Sequence, residues 1–321
     1  MEIIFLGTSA GKPTLERNVS GIALRIEQSS WWYLFDCGEA TQHRIMQSSL
    51  SMGKLKKIFI THFHGDHFFG LPGLLSTRKM DCITTPLEIY APKGIKKFMS
   101  VVKEVAKMNL SFDLKIIEIE EGAKYEDEIF EIEVVKLDHS IESYAYVLKE
   151  RPKSAKLNEE ALREFGLKPS KLYGELKKGK KVVLEDGRVI DGKDYLLDPT
   201  EGRVIIIAGD NADPSLLERW MKKADLLIHE STFTQDVFDN LPVKLKHTTA
   251  KSLGFWAQKA KVKNLIATHI SARYSPFKSD KELSIFDMER ELKEYFKGKV
   301  FIAKDLDTFY LNRDKELMLL K

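Results

Sequence analysis

Three imidazoles and a carboxylate fall within six residues at His62-Phe63-His64-Gly65-Asp66-His67. Nitrogen and carboxylate donors without thiolate suit Zn²⁺ and its neighbours, whereas Mg²⁺ or Ca²⁺ favours all-oxygen sites. One tetrahedral ion cannot gather all four side chains, because the adjacent Asp66 and His67 project differently from His62 and His64. Two ions sharing the loop is the expected solution. The bland alternative is a chance His-rich surface loop, and the rest of the chain decides against it.

The elements around the loop are those that would hold it. Leu55–Ile60 is a short apolar run that predicts a buried strand, and Gly70-Leu71-Pro72-Gly73-Leu74-Leu75 predicts a helix entry. Four further apolar runs end in residues of ligand type. Ile132–Leu137 ends in Asp138-His139, Val204–Gly209 in Asp210, Leu226–Ile228 in His229-Glu230, and Leu265–Thr268 in His269. If these strands lie in packed sheets, their ends converge with the His loop on one edge, where a cleft forms. Five of the eight histidines, His62, His64, His67, His139 and His269, are so placed, joined by Asp66 and Asp210. His139 alone reads equally as a structural histidine, but the group reads as a site. Paired ions about 3.5–4 Å apart want a carboxylate between them, and Asp210, on a different strand from the His loop, is the expected bridge. His43 and His229 are left over and are expected to be structural.

At 321 residues, 43% apolar and 31% charged, the composition fits a soluble chain with a sizeable core. The start Met1-Glu2-Ile3-Ile4-Phe5-Leu6-Gly7 lacks a basic leader region, and no stretch approaches the roughly 20 apolar residues of a membrane span. A cytoplasmic protein without membrane contact is expected. Cys37 and Cys82 have no paired spacing, so both are expected to be buried, inert thiols in a reducing compartment. A net charge of +3 is too small to argue for nucleic acid unless the charge is concentrated. Glu2–Leu6, Ile22–Ile26 and Trp31–Phe35 predict an opening strand meander, followed past the His loop by a strand at Leu87–Tyr90, a helix over Gly94–Met108 and a strand at Leu114–Ile119.

Between Tyr144–Leu148 and Val204–Ile207 lies an insertion of different character. Asn158 is placed to cap Glu159–Phe165, closed by Gly166, and Ser170 to cap Lys171–Lys178, closed by Gly179. Val182–Leu184 and Arg188–Ile190 flank Glu185-Asp186-Gly187 as a hairpin. With too few apolar residues for its own core, the segment is expected to project as an arm. Lys or Arg occupies 163, 168, 171, 177, 178, 180 and 181 against Glu164 and Glu175, with Tyr173 among them. Such a run is either a solvated face or, on an arm, a phosphate contact.

The His-x-His-x-Asp-His loop resembles that of the metallo-β-lactamase superfamily. Within it, the combination of Phe35-Asp36-Cys37-Gly38-Glu39-Ala40-Thr41-Gln42, His229-Glu230-Ser231-Thr232, His247-Thr248-Thr249 and Ala267-Thr268-His269-Ile270-Ser271-Ala272-Arg273-Tyr274 is similar to the ribonuclease Z family of tRNA 3′-processing endonucleases. The resemblance covers nearly the whole chain. It implies an α/β fold, a four-layer αββα sandwich over residues 1–321 with a tRNA-binding arm at about 150–197, in a homodimer. It also implies two zinc ions per subunit, with Mn²⁺ or another divalent ion as substitutes: His62, His64 and His139 would hold one, Asp66, His67 and His269 the other, and Asp210 would bridge. Glu230 would orient His247, and Ser271, Arg273 and Tyr274 would help bind the substrate phosphate. On the arm, Lys171, Tyr173, Lys177 and Lys178 would meet precursor tRNA. Two departures stand out: the loop Pro13-Thr14-Leu15-Glu16-Arg17-Asn18 has Leu15 where relatives often carry Lys, and Lys168-Pro169 replaces a frequent Gly-Pro pair.

Phosphodiester hydrolysis needs a nucleophile, neutralised phosphoryl oxygens and a proton for the leaving oxygen. Zinc ions supply the first two, and Asp66 could accept a proton from the attacking water as well as serve as ligand. His247 is the candidate acid, with Glu230 fixing its tautomer and raising its pKa. The plainer role for this segment is structural, since Thr248 or Thr249 could cap a helix over Ala250–Ala260. Arg273 has a guanidinium fork that matches phosphate oxygens, though an ordinary surface arginine would look the same. Rival functions are a small-molecule phosphodiesterase or lactonase of the same superfamily, which needs no basic arm, and a tRNA-binding module with a vestigial site.

Overall fold

The period-2 alternation of the apolar strands decides how the layers stack. In the Trp32–Phe35 strand, Trp32 and Leu34 join a cluster with residues of three helices, while Tyr33 and Phe35 face the other way. The computed structural model describes residues 1–152, 157–197, 201–278 and 282–320. One sheet has eight strands, in the order Leu317–Leu319, Thr308–Leu311, Glu2–Gly7, Gly21–Arg25, Trp32–Phe35, Leu55–Phe59, Leu87–Ala91 and Leu114–Glu118. The other has seven, in the order Lys299–Ile302, Asn264–Thr268, Leu226–Glu230, Val204–Ala208, Ser143–Glu150, Phe130–Leu137 and Lys124–Glu126.

Between the sheets, Phe35 stacks on Phe59 and Phe59 on Tyr90, each at 4.9 Å between centroids, and Tyr146 of the second sheet meets Phe59 edge-on at 5.0 Å. Outside the first sheet lie helices Thr41–Gln47, Leu71–Met80 and Ile95–Val105, which bury Ile45, Leu74, Leu75 and Met99. Outside the second lie Ala250–Lys259 and Ile285–Tyr295, which bury Leu253, Ala257, Met288 and Leu292. The result is helix, sheet, sheet, helix. Each large apolar side chain among these contributes about 1.5–3 kcal/mol when fully buried.

Both sheets carry a parallel block, and parallel strands end on the same edge. In the first sheet Trp32–Phe35 runs parallel to Leu55–Phe59, so Asp36 and the His loop emerge together. In the second, Val204–Ala208, Leu226–Glu230 and Asn264–Thr268 are parallel, which delivers Asp210, Glu230 and His269 to one rim. Two close backbone approaches hold the His loop down. A Cβ on Gly70 would lie 1.9 Å from the Gly38 carbonyl oxygen, and one on Gly38 would lie 2.3 Å from that of Asp66. Among the described residues no helix is long and apolar enough to cross a membrane.

The insertion, residues 149–203 with 128–130, is a compact unit in its own right. Its elements follow the predicted order: helix Glu159–Glu164 capped by Asn158, whose Oδ1 accepts from Ala161 N at 3.1 Å, helix Leu172–Leu176, and paired strands Lys181–Val183 and Val189–Asp191. Gly166, Gly179 and Gly187 all have positive φ, as turn closures require. The second helix is shorter than expected, and parts of the insertion, residues 153–156 and 198–200, lie outside the described residues. The expectation that the segment lacks a core is wrong. Leu162, Leu167, Leu176, Val182 and Ile190 are buried together, with Phe165, Tyr173, Leu184 and Tyr195 packed around them. One to three apolar residues from each short element converge, although no one element carries a long apolar run. At its roots Arg203 is fully buried on Glu150, with Nε to Oε2 at 2.8 Å and Nη2 to Oε1 at 2.9 Å. Cys37 is buried as expected, but Cys82 is exposed, on a positive-φ turn just after the Leu71–Met80 helix.

Candidate metal centre

Seven side chains with imidazole or carboxylate donors converge at the strand ends. His62, His64, His139 and Asp210 form one group, and Asp66, His67 and His269 a second, each with its donor atoms within 4.8 Å of one another. Asp210 faces both. Its Oδ2 lies 3.7 Å from His62 Nε2 and from His139 Nε2, while its Oδ1 lies 3.4 Å from His67 Nε2 and from His269 Nε2. The ring nitrogens crowd each other, at 3.0 Å between His139 Nε2 and His64 Nδ1 and 3.2 Å between His67 Nε2 and His269 Nε2. Neutral imidazoles gain nothing by pointing lone pairs at one another, so the arrangement suits cations between them.

The hydrogen bonds behind the rings select which nitrogen is free. His67 Nδ1 donates to Asp36 Oδ2 at 2.7 Å, and His139 Nδ1 to the Lys246 carbonyl at 2.8 Å. His269 Nδ1 meets Thr232 Oγ1 at 3.1 Å, and His62 Nδ1 meets Thr61 Oγ1 at 3.0 Å. Each leaves Nε2 directed inward. His62 Nε2 is buried without a hydrogen-bond partner, a rare state for a polar atom and the one a metal ligand would have. The donor set therefore fits borderline divalent ions such as zinc. His64 differs, presenting Nδ1 while Nε2 lies 3.4 Å from Ser140 Oγ.

Electrostatics agree with this demand for positive charge. Burial disfavours the imidazolium of His67, yet Asp210, Asp36 and Asp66 outweigh it and raise its pKa well above the ordinary value. Burial likewise opposes the Asp66 carboxylate, but His67 and His269 hold its pKa far below the usual range. His62 is driven down by burial and by neighbouring His67, His139 and His64, which keeps it neutral and able to ligate.

His247 sits beside this cluster and outside the two ligand groups. Its Nδ1 lies 3.0 Å from Glu230 Oε2 and 3.2 Å from Oε1, and 3.7 Å from Asp210 Oδ2. Burial lowers its pKa, but the Glu230 charge and hydrogen bond together with Asp210 raise it to about 9. Glu230 is itself fixed by Asn211 N at 2.6 Å and by the Thr232 hydroxyl. The plainer feature is present as well: Thr249 caps the Ala250–Lys259 helix, accepting from Ser252 N at 3.2 Å. Of the leftover histidines, His229 is buried, with Nδ1 on the Glu230 carbonyl and Nε2 beside Asn211, and His43 is exposed.

Residues 271–274 adjoin the centre through Ile270–Ser271, which pairs with Ser9–Ala10. Arg273 is exposed, and no ion pair or side-chain hydrogen bond engages its guanidinium among the described residues. Tyr274 is buried, its hydroxyl 2.7 Å from Thr234 N and 2.9 Å from Thr234 Oγ1, so it anchors the loop. The arm residues Lys171, Tyr173, Lys177 and Lys178 lie in the separate unit. Lys178 Nζ is bound to Glu175 at 2.8 Å and the Tyr173 hydroxyl donates to the Leu167 carbonyl at 2.9 Å, whereas Lys171 and Lys177 are exposed at its surface.

Sequence reasoning missed the partners behind the ligands. Asp36 accepts from His67 Nδ1, Thr61 N and Thr61 Oγ1, and Gly11 N donates to Asp66 Oδ2 at 2.8 Å. The signal was available for two of them, since Asp36 and Thr232 lie in the motifs that follow the Trp32–Phe35 and Leu226–Glu230 strands.

The four layers and the paired ligand groups at the strand ends define a metallo-β-lactamase fold. The metallo-β-lactamase fold protein YhfI of Bacillus subtilis superposes with a TM-score of 0.65 at 19% identity, covering 96% of this chain and 98% of that one. The short form of human tRNase Z gives a TM-score of 0.66 at 28% identity, over 97% and 100% of the two chains. A family profile described as "Anti-Pycsar protein Apyc1" matches residues 1–155. Ribonuclease Z of Marinobacter nauticus is 41% identical over 318 residues, 99% of this chain and 98% of that protein. The chain belongs to the ribonuclease Z family.

Asp36 gives a test of the supporting layer. Asp36→Asn keeps the shape but weakens the acceptor that fixes the His67 tautomer, and such changes typically lower metal affinity about 10–100-fold. Competition titration with a chromogenic zinc chelator should show that drop with the circular dichroism spectrum unchanged; full affinity in the variant would deny Asp36 this role.

Proposed function

We infer that this member of the ribonuclease Z family is a metal-dependent endoribonuclease that removes the 3′ trailer from precursor tRNA, leaving a 3′-hydroxyl. The observation that carries the reading is Asp210, whose two oxygens each face a separate group of imidazole donors. Two zinc ions per subunit, with His62, His64 and His139 on one, Asp66, His67 and His269 on the other and Asp210 between, account for every inward-facing donor. Bound there, they would act as Lewis acids and lower the pKa of water to about 7.

The chain's own groups supply the rest. Asp66, beside His67 and His269 at 3.4 and 3.3 Å, is placed to orient the attacking water and take up its proton. The leaving ribose 3′-oxygen is strongly basic and needs an acid. His247 carries that proton on Nε2, because Nδ1 is held by Glu230, and the same carboxylate favours the protonated ring. Arg273 offers its unengaged guanidinium to phosphate, and Ser271 and Tyr274 fix the loop on which it stands. Lys171 and Lys177 on the insertion at about 150–197 would contact the tRNA body, with Tyr173 and Lys178 holding that surface in shape. A homodimer in the cytoplasm is part of the same reading, by family likeness.

Three experiments test it. An end-labelled precursor tRNA should be cut near the discriminator base, chelator should abolish cleavage and zinc should restore it; chelator-insensitive cleavage, or activity on small diesters alone, would favour another hydrolase. General acid catalysis is typically worth about 10²–10⁴-fold, so His247→Ala should lose that much on RNA while retaining metal. On a p-nitrophenyl diester, whose leaving group needs no acid, it should lose far less, and equal losses on both substrates would remove His247 from the acid role. Replacing Lys171 and Lys177 by Ala should weaken tRNA binding and flatten its salt dependence by about 0.7–0.9 for each phosphate no longer neutralised, with diester hydrolysis unchanged. An unaltered salt slope would make the insertion a spacer.

A further inference from the structure

The basic residues of this chain divide into two kinds. On the insertion most are neutralised locally: Arg163 on Glu159 at 3.4 Å, Lys178 and Lys180 on Glu175 at 2.8 and 2.5 Å, Lys181 on Asp191 at 3.5 Å and Arg188 on Asp186 at 2.7 Å. The Ile95–Val105 helix and its flanks are the opposite. Lys93, Lys96, Lys97, Lys103 and Lys107 stand against Glu104 and Glu118, and none of the five has an ion-pair partner among the described residues. Lys93, Lys96, Lys97 and Lys107 are exposed and Lys103 is half-buried, while Ile95 and Met99 bury the other face of the helix. Glu118 accepts from Gly94 N at 2.8 Å and Lys96 N at 3.4 Å and stands in the field of Lys96 and Lys93 without a salt bridge to either, so one carboxylate stands among the lysines at this end of the helix.

This helix starts beside the His loop. Gly94 approaches Phe63, with its Cβ position 3.7 Å from the ring, and Phe63 lies between His62 and His64. Phe63 packs on Phe68 at 4.9 Å, and Phe68 on Phe98 of the helix at 5.0 Å, so the His loop and the helix are joined through aromatic contacts. Arg273 stands on a different element, the loop that follows His269, and the neighbouring Ser9–Gly11 backbone touches Asp66. Two elements that carry unpaired cations thus adjoin the two donor-bearing loops, the Ile95–Val105 helix on the side of His62 and His64 and the Arg273 loop on the side of His269. From Gly94 the helix carries its lysines about 16 Å outward along eleven residues.

We propose that the lysine face of the Ile95–Val105 helix binds the single-stranded RNA on the 3′ side of the scissile phosphate, the trailer, and guides it from the His62/His64 flank of the centre. The inference rests on the endoribonuclease reading and adds a second RNA surface to it. Its chemistry is sequence-independent: unpaired ammonium groups take phosphates in any order, as a trailer of arbitrary sequence requires. Lys103 and Lys107 extend the track beyond the first turns, so affinity for the trailer grows with its length until the helix is passed.

The test is the triple variant Lys93→Ala, Lys96→Ala, Lys97→Ala, which keeps good helix formers in place, assayed on precursor tRNAs with trailers of one, five and fifteen nucleotides. Hydrolysis of a p-nitrophenyl diester should match the parent, showing an intact centre. On the fifteen-nucleotide trailer KM should rise about tenfold, and the salt slope should flatten by about 0.7 for each single-strand phosphate that the variant no longer binds. On the one-nucleotide trailer KM should be nearly unchanged. An equal rise on all three substrates, or weaker binding of mature tRNA, would move the surface to the tRNA body and overturn the trailer assignment. No rise on any would overturn the surface altogether. Should the parent protein fail to cut precursor tRNA at all, the functional reading fails first, an outcome distinct from both.

Discussion

Everything in the centre depends on one carboxylate placed between two sets of imidazoles. Asp210 is buried, and among the described residues it is the one group whose oxygens divide between both sets. Its position follows from an interior strand of the second sheet, Val204–Ala208, flanked on both sides. Gly209 then lets that strand's end approach the His loop, because a Cβ there would lie 2.5 Å from Thr61 Cβ. Asp210 therefore joins the two sheets as well as facing the two donor groups. In a site this dry, charge interactions are screened less than in water, so a misplaced carboxylate would cost more than a surface one.

Around that point the fold builds outward in shells. Asp36, in the left-handed region at φ 58°, turns its carboxylate under Thr61 and His67. Glu230, Thr232 and Asn211 do the same on the side of His269 and His247. Each supporting group belongs to a strand end in the same parallel blocks as the ligands. Rigid parallel strands thus fix both the donors and the groups that orient them, which is why short, weakly helical segments such as Gly65–Phe68 can carry donors of the candidate metal centre.

Much of this was legible in the sequence. Apolar runs ending in His139, Asp210, Glu230 and His269 located the strand ends, because a buried strand that stops at a polar residue places that residue on the rim. The supporting contacts were not legible in the same way. That His67 meets Asp36 depends on the register of Trp32–Phe35 against Leu55–Phe59, and that Tyr274 is committed to Thr234 depends on packing across elements. The insertion was misjudged for a related reason: its apolar residues are spread a few at a time over short elements, and only folding gathers Leu162, Leu176 and Ile190. Counting lysines had a similar blind spot. Lys178 and Lys180 share one glutamate, a pairing set by local backbone geometry, whereas Lys93, Lys96 and Lys97 have no ion-pair partner among the described residues.

The contact between His67 and His269 joins residues 202 positions apart. During synthesis at about 5–20 residues per second, roughly 10–40 s separate their appearance. Throughout that interval the nascent chain displays His62, His64, Asp66 and His67 without the strands that complete their surroundings. An early cation captured there would meet a flexible, partial set of donors, whereas one arriving after the second sheet closes meets the finished geometry. The order in which this chain is made thus gives its last quarter, which contributes His269, control over when the centre becomes selective.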